Sequence, residues 1–282
     1  MAIARAELAR RARDLAGRVL DQWLLPAAGV APADAPRWAV ALAGSGASGY
    51  RDASSRVDLV VVGPAAGVER ARATLARRPD GRGPGSCHLL PDWAGGGNLV
   101  LLAWEELSAA VAAPAEETVI LLASADPLVD PAGRLARALA ALRPLPPEWY
   151  RARIAEHYRS LRRRTASIAW NLRRGQAFAF LAGFVQWLEH LLLLCRYADG
   201  EPPVERKWLL QAAMRTSLGR ELRAEVYDLL SRLGEVATLG GSYDPKENRL
   251  YGSIAGLHGR LAASLRQRGL LDDREEPREE TS

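Results

Sequence analysis

The chain has 282 residues, 48% hydrophobic and 25% charged, the balance of a soluble globular protein with room for one large domain or two ordinary ones. Its two cysteines, Cys87 and Cys195, stand in neither metal nor redox spacing, which argues against a disulfide framework and for a reducing, cytoplasmic setting. The formal net charge of +5, carried mostly by arginine, suits anionic partners such as nucleotides or a nucleic acid backbone, and equally suits a high-arginine genome.

The N-terminal stretch MAIARAELARRARDLAGRVLDQWLL is broken by charge every few residues, so it lacks the apolar core of a secretory signal. Leu8, Leu15, Val19, Leu20 and Trp23 recur at helical spacing, predicting an amphipathic helix that covers the first domain. WAVALAG (38–44), VDLVVVG (57–63), NLVLLAW (98–104) and TVILLAS (118–124) have the length and content of strands. GVERARATLARR (67–78) and DPAGRLARALAAL (130–142) have helical spacing, and PDGRGPGS (79–86) and WAGGGN (93–98) predict glycine-rich turns.

The sequence RPLPPEW (143–149) carries three prolines in five residues and marks a boundary. Beyond it the pattern predicts helices over 148–174, 176–197, 203–216, 219–234 and 251–269. The run AFAFLAGFVQWLEHLLLLC (177–195) is barely long enough to span a bilayer and contains Gln186, Glu189 and His190, so it reads as a buried core helix. The tail DDREEPREETS has six acids, two arginines and no apolar residue, a composition that does not fold alone. The expected organisation is therefore an α/β domain with an N-terminal helix over 1–143, a helical bundle over 144–270 and a disordered acidic tail over 271–282.

One stretch carries chemistry: GSGASGYRDASSRVDLVVV, residues 44–62. Gly44 and Ser45 end a strand and start a turn where glycine lets backbone approach a phosphate closely. N–H groups there and the Ser45 hydroxyl can hold phosphate oxygens, and Gly49 permits a second close approach. In the strand that follows, alternation puts positions 56 and 58 on one face. Two carboxylates there would chelate two Mg²⁺ ions beside the phosphates, the arrangement for in-line phosphoryl or nucleotidyl transfer.

The stretch resembles the signature of the polymerase-β-like nucleotidyltransferase superfamily: Gly-Ser, three residues, Gly, five residues, then Ser-Asp-Ile-Asp-Leu. Gly44, Ser45, Gly49, Ser55, Val57, Asp58 and Leu59 fall in place without a gap, and Asp52 sits where the family often has an acid. ILLASADPLVDPAGRLARAL is similar to the strand, Asp-x-x-Gly turn and helix that close the family's domain. LLLLCRYADGEPPVERKWL (191–209) looks like the helix, proline-rich turn and Lys-Trp-Leu of bacterial antibiotic-nucleotidyltransferase-like proteins of the kanamycin and lincosamide type. The resemblance implies an α+β fold, a nucleotidyltransferase-type mixed sheet with helices followed by an all-helical bundle. It also implies that Lys207 contacts phosphate or substrate, and that Glu189 could deprotonate an acceptor hydroxyl.

The departures matter as much. Arg56 stands where the first metal-binding acid belongs, and Asn98 is the equivalent of the third carboxylate. Glu105 and Glu106 follow that strand and are expected to face solvent. Only Asp58 remains as a metal ligand. The resemblance thus implies a nucleoside triphosphate bound by Gly44, Ser45, Gly49, Ser55, Arg56 and Lys207 in a protein whose catalysis is impaired. The alternative is an active Mg²⁺-dependent enzyme, with Asp58 and Glu189 catalytic, moving NMP from an NTP to a small-molecule hydroxyl. A small-molecule acceptor or a protein partner is expected beside the nucleotide, and neither nucleic acid nor membrane.

Three further expectations come from residue type. Arg162, Arg163, Arg164, Arg173 and Arg174 read as a solvated helix face, and Trp170, Trp187 and Trp208 as bundle core. Glu189 and His190 read as a buried pair with a structural partner, while His88 and His157 stand alone, without metal-ligand spacing.

Overall fold

The computed structural model describes residues 5–49, 57–77, 87–89, 97–234 and 247–271. Two compact units divide the chain, Met1–Pro144 and Leu145–Ser282. The expected turn over 79–86, most of the turn over 93–98 and the acidic tail lie outside the described residues.

In the first unit, α1 (Arg5–Arg18) runs through a π-helical segment, Val19–Leu24, into the short α2 (Leu25–Ala27). After a 3-10 turn come β1 (Ala39–Ala43), α3 (Gly44–Ser48), β2 (Asp58–Gly63) and α4 (Ala65–Leu75). β3 (Cys87–Leu89), β4 (Asn98–Ala103), α5 (Trp104–Ala112), α6 (Glu116–Leu122), β5 (Asp126–Val129) and α7 (Arg134–Ala140) complete it. The five strands form one mixed sheet in the order β3-β4-β2-β1-β5. β2 and β4 run parallel, and the other neighbours are antiparallel. The unit is α+β.

The central strands are apolar on both faces, as helices on both sides of a sheet require. Every residue of β1 is buried, and so is β2 after Asp58. Val40, Leu59, Val61, Leu99 and Leu101 pack against Leu15, Val19, Leu20 and Leu24 of the N-terminal helical run and against Val68, Ala71 and Leu75 of α4. Each such side chain contributes about 1.5–3 kcal/mol when fully buried. Trp38 is wedged at the end of β2. A Cβ on Gly63 would lie 2.3 Å from its ring, and one on Gly67 2.7 Å, so both positions must lack side chains.

A guanidinium ties α4 to the next strand and helix. Arg72 donates to the Leu101 carbonyl at 2.6 Å and to both carboxylate oxygens of Glu106. Glu106 in turn accepts from the Ala103 N–H at 2.7 Å, capping α5. It is therefore engaged rather than merely facing solvent. The Arg72 hydrogen bonds hold its carboxyl below the usual value, against an opposing cost of burial.

The stretch 118–124 forms most of α6 instead of a strand. Pro114 ends the preceding helix, and Glu116 and Glu117 occupy the first turn of α6, where carboxylates favour a helix N-terminus. Val119 and Leu122, three apart, are its buried residues. The strand is displaced to β5, whose Pro127 is tolerated because β5 is a sheet edge. The three-residue β3 is also unexpected from the sequence.

The second unit is helical: α8 (Pro147–Arg173), α9 (Ala177–Tyr197), α10 (Arg206–Ala213), α11 (Ser217–Glu221), α12 (Arg223–Ser231) and α13 (Arg249–Gln267). The single helix expected over 219–234 is two, α11 and α12. Gly175, at φ 62°, turns α8 back into α9. Ile154, Leu161, Ile168, Phe180, Phe184, Trp187 and Leu191 form the centre of one core with Ile254 and Leu257. Inside it the Trp187 Nε1–H donates to the Thr165 hydroxyl at 3.0 Å, and that oxygen lies 3.2 Å from His258 Nδ1. Burial first, then Arg162 and Arg266, push the His258 imidazole below its ordinary pKa.

Cys195 is completely buried, which pushes its thiol up to about 12. Beyond the end of α9, Asp199 accepts from Ser217 N–H at 2.5 Å and Ser217 Oγ at 2.6 Å, and Arg268 reaches it at 3.1 Å. This joins α9, α11 and α13. Trp187 is core as expected. Trp170 is not: it is 56% exposed, because its position on α8 falls on the face turned away from the packed one.

Candidate functional site

The chemistry-bearing residues of the first unit gather at one end of the central strands. β1 ends there and β2 begins there, because the antiparallel register sets Ala43 opposite Asp58. β4 also begins there: Leu59 pairs with Leu99 in parallel register, so Asp58 and Asn98 lie side by side. The short α3 depends on glycine at both ends, with Gly44 at φ 61° where it leaves β1 and Gly49 at φ 79° just beyond it. Both angles are left-handed, where a Cβ is strained. Buried Ala47 anchors the turn on Leu42 and Ala12.

Asp58 Oδ1 accepts two hydrogen bonds from one residue, from the Asn98 backbone N–H at 3.0 Å and from its Nδ2 at 2.9 Å. The sequence identifies both positions, and the fold brings them together. Mg²⁺ requires oxygen ligands in near-octahedral array. Here Asn98 presents two N–H groups to Asp58 Oδ1, and these compete for the oxygen a metal would take. Among the described residues no group of three or more His, Cys, Asp or Glu side chains could hold a metal ion. Ser55, Arg56 and Asp52 lie outside the described residues, as does the Ser45 side chain.

Glu189 and Lys207 belong to the second unit. Arg206 holds the Glu189 carboxylate with two bonds, Nε to Oε1 at 2.8 Å and Nη2 to Oε2 at 2.5 Å. Both carboxylate oxygens are engaged by one guanidinium, so Glu189 could receive a proton from an acceptor hydroxyl only after that pair opens. Lys207 pairs with Glu205 at 2.8 Å and is 56% exposed.

Glu189 and His190 each have a structural partner, as expected, and the partners differ. His190 Nδ1 lies 2.8 Å from His157 Nδ1, so one ring donates and the other accepts. His157 is thus not alone, and it also packs on Tyr197 at 5.5 Å between centroids. Sequence spacing carries no signal for this contact, because 33 residues separate the two and only the α8–α9 hairpin joins them. A groove of about 810 Å³ between α12 and α13 is lined by none of these residues. Two of its three arginines already pair with acids of the same groove, Arg232 with Asp228 and Arg260 with Glu225.

No protein-family model matches the chain, and no curated protein is significantly similar to it. What the site can do is therefore argued from its own residues.

Proposed function

We propose that this chain is a cytoplasmic nucleotidyltransferase-fold protein that binds a nucleoside triphosphate at the Gly44–Gly49 turn and is impaired in transfer chemistry. One observation carries the reading. A turn with two left-handed glycines adjoins Asp58 at the start of β2, and the third acid position holds Asn98, whose amide occupies the remaining carboxylate. A phosphate there would rest on backbone N–H groups of the turn, since α3 is too short to supply a useful macrodipole. Arg56, two residues before Asp58, supplies the positive charge that a metal provides elsewhere.

The test is calorimetric titration of the full chain with ATP, GTP, CTP and UTP, each in Mg²⁺ and in EDTA. Binding of at least one nucleotide, unchanged by EDTA and lost in Gly49→Val and Arg56→Asp, is the expected result. Binding that disappears in EDTA favours the active, Mg²⁺-dependent reading, and acceptor screening would follow. Absence of binding in both conditions sinks the nucleotide reading.

A further inference from the structure

We propose that the tip of the α8–α9 hairpin is a docking surface for an anionic phospholipid bilayer, lying in the interface rather than crossing it. Among the described residues five large hydrophobic side chains are exposed, and four of them are here: Trp170 at 56%, Phe178 at 86%, Leu181 at 38% and Val185 at 54%. Phe178, Leu181 and Val185 follow one another by three and four residues, so they line a single stripe of α9. The opposite face of α9 is already used, with Phe180, Phe184 and Trp187 in the core. The helix is thus apolar on both sides, and among the described residues only one side has a partner within the unit.

Charge identifies the occupant. Between Glu156 and Glu189 the sequence has no acidic residue and six arginines, 159, 162, 163, 164, 173 and 174. Arg173 and Arg174 sit at the turn itself, each with its guanidinium 5.6 Å from the Trp170 ring. An exposed aromatic and aliphatic stripe beside clustered arginine is the composition that partitions into the headgroup region of anionic lipid. A second copy of the chain would bring the same cations to the contact, so charge opposes self-association through this face. A nucleic acid would engage the arginines and Trp170, but leaves Leu181 and Val185 without a role. α9 has the length and apolarity of a membrane span, yet half of that span is buried in the unit, so the helix lies on a bilayer rather than through it. Trp170, expected in the core, is exposed beside arginines that are exposed as expected. None of these residues lies in the first unit, so the proposal is independent of nucleotide binding.

The full chain is floated with phosphatidylcholine vesicles that contain or lack phosphatidylglycerol, at low and high salt. The expected result is retention on the anionic vesicles only, weakened by salt. Phe178→Ser with Leu181→Ser, and separately Arg173→Ser with Arg174→Ser, each lower retention roughly tenfold. Tyr227→Ser, which removes the exposed aromatic of α12, leaves retention unchanged, and circular dichroism and melting confirm that all variants fold. The idea is overturned by any of four results: no vesicle retention, retention insensitive to both double variants, equal loss of single-stranded RNA binding in both, or a dimer that Phe178→Ser dissociates.

Discussion

At its far end β2 finishes on Gly63, pressed against the Trp38 ring, while at its near end it begins with Asp58, whose carboxylate is held by Asn98. Five residues apart on one strand, the two ends are governed by different forces. The far end is packing without slack, where volume alone decides what is tolerated. The near end is polar, partly exposed and held by hydrogen bonds that a change of partner can rewrite. Stability and binding should therefore separate cleanly along the strand, and variants at each end can break or sharpen that distinction.

The largest effect is expected from Gly63→Val, because even a Cβ would stand 2.3 Å from the Trp38 ring. A loss of about 3 kcal/mol is expected, read as a shift of the urea midpoint. A loss under about 1 kcal/mol would mean that Trp38 can move aside. Next comes Arg72→Met, which removes the bonds to Leu101 and Glu106 and should cost about 2 kcal/mol at neutral pH. The Glu106 carboxyl is held below its ordinary 4.5 in the fold. Its share of the stability is therefore complete above that pH and fades as the pH falls through the folded value. The gap between Arg72→Met and the parent should narrow in acid, and a constant gap would assign the loss to the Leu101 bond alone.

The smallest effect is the most informative about function. Asn98→Asp places a second carboxylate beside Asp58, and should cost about 1 kcal/mol at neutral pH through like-charge repulsion. Mg²⁺ should restore that loss, raising the melting temperature of Asn98→Asp but not of the parent chain. If the parent gains as much from Mg²⁺, Asp58 already belongs to a working metal site and the impaired reading fails.

Much of the sheet was legible. The runs over 38–44, 57–63 and 98–104 are strands within a residue or so of their observed bounds, because buried central strands require unbroken apolar runs. The run over 118–124 has the same composition and became a helix. There the deciding signals were Pro114 and the Glu116–Glu117 pair before it, which outweighed the β-branched residues inside it. The neighbouring positions Asp58 and Asn98 were identifiable from the motif, but their mutual hydrogen bonds follow from a parallel register that no local pattern encodes. In the helical unit, heptad-scale apolarity found the helices and could not tell which stripe of α8 or of α9 faced inward. Trp170 was assigned to the core for that reason. That Glu189 and His190 have structural partners was legible from their place in an apolar helix, but adjacent helical residues point in different directions, so the identity of each partner was not. Arg206 and His157 took them separately.

Cys195 has a further use. A thiol raised to about 12 is only about one part in 10⁵ thiolate at pH 7, and complete burial closes it to reagents as well. In a chain whose Cys87 is replaced by serine, alkylation of Cys195 would proceed only when the helical core opens. Its labelling rate becomes a clock for that opening, wound into the bundle by the chain itself and readable in dilute solution with a simple alkylating reagent.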